Sequence, residues 1–248
     1  MKRSFESGNA LFFILIAVVM LAALSFAVMQ GSRGGAESLS AEKTRLVATE
    51  ILEYADVVAK AVAQTRLRGF EDTQISFENS AVGGYANANC TDEQCKIFSP
   101  SGGGVNYIAP NAEGLDQASA AATTFVNAAN LYGQWFFPRR TCVRNVGIGS
   151  NDCAGNGLDD AELMIVLPWV KQEVCIKIND LLGVDNPSGS PPSVGGSTFL
   201  GEKFQGNYNP LATNLALALE NTSACFYHSS LNAGPGLGYF YYKVLIAR

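Results

Sequence analysis

The chemistry in this chain begins with its cysteines: Cys90, Cys95, Cys142, Cys153, Cys175 and Cys225. An even number, all outside the apolar N-terminal region, fits disulfides formed in an oxidising compartment. Many pairings are possible, and the simplest is local: Cys90 with Cys95, Cys142 with Cys153, Cys175 with Cys225. Metal ligation is the alternative. It fails on composition, because no C-x-x-C pair occurs and the one histidine, His228, cannot complete a Cys₂His₂ zinc set.

Other motifs are weaker. Asn151, Asp152, Asn156, Asp159 and Asp160 offer the oxygen ligands calcium requires. Counted from Asp152, however, the EF-hand positions fall on Ala154 and Leu163, so the cluster reads as a polar turn built on Asn156-Gly157. The run from Gly196 to Gly201 superficially resembles a phosphate loop, but Glu202 displaces Lys203 from the place the loop needs. The glycines at 234, 236 and 238 precede a strand rather than a helix, so they do not form a dinucleotide fingerprint. His228, beside Phe226 and Tyr227, reads as structural rather than as a general base. Asn221-Thr222-Ser223 matches a glycosylation acceptor. No catalytic, cofactor-binding or metal site is expected.

Composition narrows the class. The 248 residues carry 17 basic and 22 acidic side chains, and only 16% are charged against 48% hydrophobic. A net charge of −5 argues against a general nucleic-acid binder, which needs a basic face. The apolar excess is concentrated. Residues 10–29, ALFFILIAVVMLAALSFAVM, contain no charge. A helix of that length matches the roughly 30 Å hydrocarbon core of a bilayer. At roughly −0.3 to −0.6 kcal/mol for each Leu, Ile, Val or Phe, insertion is favoured by about 4–7 kcal/mol. Lys2 and Arg3 precede the run, which orients the N-terminus to the cytoplasm and the rest outward. A cleaved secretory signal, cut near Ser25-Phe26-Ala27, is the competing reading, but its apolar region is usually shorter.

The elements that follow are legible in outline. Residues 31–35, GSRGG, read as a flexible joint or helix break. Residues 36–69 read as an amphipathic helix with an apolar stripe of Val47, Ile51, Tyr54, Val58 and Val62, ended by Gly69. Residues 79–118 read as loops and short strands, 115–136 as a helix, and 162–178 as a strand interrupted by Pro168. The section from Val174 to Val184 also suits a short helix. Residues 185–198 read as an exposed loop, 211–219 as a helix, and 239–246 as a closing strand. The whole is an α+β chain with an antiparallel sheet. Its parts are a basic leader at 1–9, a transmembrane helix at 10–29, the amphipathic helix at 36–69, and an exported head at 70–248.

This N-terminal arrangement resembles type IV pilin-like proteins, including pseudopilins. Met1 to Gly8 matches the short basic leader ending in Gly, and cleavage there would leave Asn9 as the first mature residue. Residues 10–29 match the apolar half of the family's spine, and residues 36–67 its amphipathic half. The family usually carries a glutamate five residues into the mature chain, where Phe13 stands here. The resemblance implies a non-enzymatic subunit, a minor one, of a type IV pilus or secretion pseudopilus. It implies a single-pass protein of a bacterial inner membrane, with its head in the periplasm or on an extracellular filament. Its partners would be the membrane and other pilin-like subunits, contacted through residues 10–67, with no nucleic acid and no small-molecule substrate. The alternative is a bitopic periplasmic binding or scaffold protein with an uncleaved anchor.

Overall fold

The computed structural model describes residues 7–121, 131–147, 161–194, 202–208, 213–215, 220–229 and 238–248. The chain divides into two units, Met1–Lys43 and Thr44–Arg248. Helix α1, Ser7–Leu67, supplies the first unit and opens the second. Residues 31–35, expected as a break, carry helical backbone. Each glycine costs about 1 kcal/mol against alanine, but a helix already formed on both sides needs no second nucleus.

In the first unit, every side chain described from Phe12 to Ala23 is exposed. Phe12, Phe13, Ile14, Leu15, Val18, Val19, Met20 and Leu21 are each between 59% and 71% exposed. Among the described residues, no helix is long and apolar enough to cross a membrane. The side chains of Ala10, Leu11, Leu24 and residues 26–29 lie outside the described set.

In the second unit, α1 buries Val47, Ala48, Ile51, Ala55, Val58, Ala61, Val62 and Thr65. That is the expected stripe, widened by small residues and with Tyr54 at its margin. Small residues permit close approach: a Cβ on Gly114 would come within 2.5 Å of Val47 Cγ1. Gly69, at φ +98°, ends the helix in the left-handed region, its N–H donating to the Arg66 carbonyl at 2.9 Å.

The stripe packs on a four-stranded sheet. Strands β2 (Leu163–Val170), β5 (Ser223–His228) and β6 (Gly238–Ile246) are antiparallel in the order β2-β6-β5, and β3 (Ser193–Val194) adds a short parallel edge on β5. The other sheet is a parallel pair, β1 (Thr141–Val143) with β4 (Thr213–Leu215). Every residue of β2 is buried, because both faces are covered. Leu163, Ile165 and Leu167 face the α1 side, together with Val174 and Ile178 of helix α3 (Gln172–Leu182). Met164, Val166 and Trp169 face the other side with Phe136, Phe226 and Phe240. The expected strand at 162–178 therefore stops at Val170, and its second half is helix, the alternative reading of that section. Pro168 sits where the β2–β6 register shifts, and Trp169 takes φ +53°. A residue without an N–H is tolerated at such a bulge.

Two expected helices are corrected. Helix α2 is described over Gln117–Ala121, and residues 122–130 lie outside the described set. Gly133 adopts φ +72°, and Phe136 pairs with Val166 as an extension of the sheet, so the helix expected through residue 136 does not reach it. In 211–219, the described part, Thr213–Leu215, is strand. Pairing with β1 outweighs the weak helix preference of Thr and Asn. The closing strand lies where expected, at Gly238–Ile246.

The loops are tied by neutral side-chain amides. Asn87 Nδ2 donates to the carbonyls of Thr73 and Ile75, at 3.0 and 2.8 Å. Asn79 Oδ1 accepts from the N–H groups of Ala81 and Val82. Asn179, fully buried on α3, clasps the backbone of Cys225: Nδ2 donates to its carbonyl at 2.9 Å, and Oδ1 accepts from its N–H at 2.8 Å.

Asp116 caps α2, accepting from the N–H groups of Ala118 and Ser119 and from Ser119 Oγ at 2.6 Å. Burial alone would raise its carboxyl pKa, but these donors and nearby Lys171 outweigh it and hold it below the ordinary value. Its contribution is therefore present above the ordinary aspartate range and lost as pH falls through the lowered value. Asp116→Ala should cost about 1 kcal/mol at pH 7 in urea unfolding, and this difference should shrink in strong acid.

Candidate interaction groove

A concavity lies beside the buried stripe of α1. Glu50, Glu53, Tyr54 and Val57 form one wall, Ile108 to Asn111 the other, and Trp135 the floor, around about 370 Å³. Helical spacing brings 50, 53, 54 and 57 onto one face.

Hydrogen bonds fix the opposite wall. Tyr54 Oη donates to the Asn106 carbonyl at 3.3 Å and accepts from the Ile108 N–H at 3.1 Å. The Tyr54 ring stacks on Trp135 with centroids 5.1 Å apart. Trp135 Nε1 donates to the Ile108 carbonyl, and its backbone N–H donates to Tyr107 Oη, both at 3.1 Å. Asn111 Nδ2 donates to Glu50 Oε2 at 3.0 Å. These polar groups serve the scaffold, so the surface left open is apolar, with Ile108 61% and Val57 46% exposed. Burial pushes the Tyr54 phenol up to about 12, so it stays protonated and keeps donating at any physiological pH. Chemically, the groove can hold an apolar side chain beneath two carboxylates.

The residues singled out in the sequence fall elsewhere. Cys90–Cys95 and Cys175–Cys225 are disulfides, with Cα atoms 5.7 and 5.3 Å apart. Cys142 is disulfide-bonded, and Cys153 lies outside the described residues. Gly8 and Asn9 lie near the start of α1. His228 is fully buried, its ring edge-on to Phe240 at 6.0 Å, away from any solvent-borne substrate. The oxygen-rich stretch from Asn151 to Asp160 lies outside the described residues. Among the described residues, no three His, Cys, Asp or Glu side chains are placed to hold a metal. Lys203, of the dismissed phosphate loop, donates to the Gly83 carbonyl at 2.7 Å and lies over the Tyr85 ring. Glu202 pairs with Arg139 and Arg140.

Sequence reading missed the groove, because Trp135 and Ile108 come from segments read as helix and loop. The available signal was the apolar piece from Val105 to Ile108 within a polar stretch. No protein-family model, curated protein or solved structure matches the chain.

Proposed function

We propose that this chain is a non-enzymatic, pilin-like protein, a minor subunit of a type IV pilus or a secretion pseudopilus. The observation that carries the reading is the run of exposed apolar side chains from Phe12 to Leu21. Apolar surface of that extent must be covered by lipid or by other protein. Residues 10–29 would hold the subunit in a bacterial inner membrane as a single span, N-terminus in the cytoplasm and head in the periplasm. On assembly they would leave lipid and pack against equivalent helices, since such surface leaves a bilayer only to be reburied. The basic leader ending in Gly8 and the disulfides of the head support export and processing.

Phe13 at the place of the family's glutamate favours a second reading, a bitopic scaffold with an uncleaved anchor. Intact-mass measurement of the protein purified from membranes separates the two. A mature chain starting at Asn9, with Gly8→Ala blocking the cut, is the expected result. An intact N-terminus in the wild-type chain overturns the filament reading, and a start near Val28 replaces it with simple secretion.

A further inference from the structure

The groove has a complementary surface on the same chain. At the far end of α1, Leu67 is 87% exposed, the most exposed large apolar side chain among the described residues. Arg66, also exposed, stands next to it, and neighbouring Asp72 is paired with Arg248 at 3.0 Å. The tip thus offers one apolar knob beside an exposed guanidinium. The groove offers an apolar hollow beneath Glu53, which is exposed, and Glu50, which Asn111 holds in place. Apolar knob matches apolar hollow, and Arg66 matches the acidic rim.

We propose that the Arg66–Leu67 tip of one copy docks in the Glu50–Tyr54–Trp135 groove of the next. Because knob and groove are different surfaces of one chain, the contact is heterologous, and it propagates into a ring or an open helical array. Within one chain the tip cannot reach the groove, since both lie on the same rigid helix. A contact of this size is weak as a single pair and gains strength when many act along an array. It requires neither leader cleavage nor a membrane, so it goes beyond the reading above and does not fall with it.

Cross-linking of the full chain in detergent micelles tests it. Val57→Cys and Leu67→Cys alter two exposed positions, one at the groove and one at the tip. Intramolecular bonding is excluded, because the two positions lie about 15 Å apart along the helix, beyond the roughly 7 Å limit between bridged Cα atoms. Under mild oxidation the double variant should give a ladder of dimers, trimers and higher species. A mixture of the two single variants should stop at a dimer joining one of each. Adding Glu53→Lys should reduce the yield about tenfold, and combining it with Arg66→Glu should restore it. Mass analysis of the native disulfides checks that each variant is correctly folded. The proposal is overturned if 67-to-67 or 57-to-57 dimers dominate. It is equally overturned if the ladder does not exceed that of Ser101→Cys paired with Leu67→Cys, or if Glu53→Lys leaves it unchanged.

Discussion

Asn179→Ala is expected to be among the most damaging single substitutions in the head. The amide replaces a strand neighbour for Cys225, satisfying both its N–H and its carbonyl, and a further bond runs to Asn186 Oδ1 at 2.9 Å. The site is fully buried, so water does not substitute. Two orphaned backbone groups, at about 1–3 kcal/mol each, give a loss of about 2–6 kcal/mol. In a domain of this size that lowers the melting midpoint by about 5–15 °C. Asn179→Asp should not rescue it, because the carboxylate keeps the acceptor, loses the donor and buries a charge. Asn106→Ala, at an exposed side chain, should stay within about 0.5 kcal/mol. A melting midpoint for Asn179→Ala close to that of Asn106→Ala would refute the account.

The second large effect is at the same strand. Removing the Cys175–Cys225 bridge as a double alanine variant releases a loop of 50 residues, which costs about 4 kcal/mol in the chain-entropy model. Removing Cys90–Cys95, with a separation of 5, should cost only about 2 kcal/mol on the same model. Guanidinium unfolding of the two variants measures the gap. Equal losses would show that loop closure does not set the value. Because Asn179 and Cys175 both hold β5 through Cys225, the combined variant should lose less than the sum of the two.

What could be read from the sequence follows physical lines. The stripe on α1 was legible because side chains three and four apart share a helix face, and the closing strand because β-branched and aromatic residues accumulate there. The disulfide between Cys175 and Cys225 agrees with the simplest pairing of the six cysteines. The end of the helix at 115–136 was not legible. Alanine-rich sequence favours helix locally, while the turn at Gly133 and the pairing of Phe136 with Val166 are decided by a strand from a later part of the chain. The same holds at Thr213–Leu215, where pairing with Thr141–Val143 decides. Pro168 interrupts the strand pattern in sequence yet lies inside a strand, because the bulge at Trp169 removes the need for its missing donor. The groove was hidden for the same reason: its two walls are distant in sequence, and only the fold brings Tyr54 against Trp135.

The amide ties of the head carry a consequence for the medium it can inhabit. Asn79, Asn87 and Asn179 bear no charge, so their bonds neither titrate nor weaken as ions accumulate around the molecule. An exposed pair such as Lys96 with Glu93, at 2.7 Å, fades once the Debye length shrinks toward a few ångström in concentrated salt. The loops held by amides do not share that fate. A domain fastened this way keeps the same loop geometry in dilute buffer, brine or mild acid.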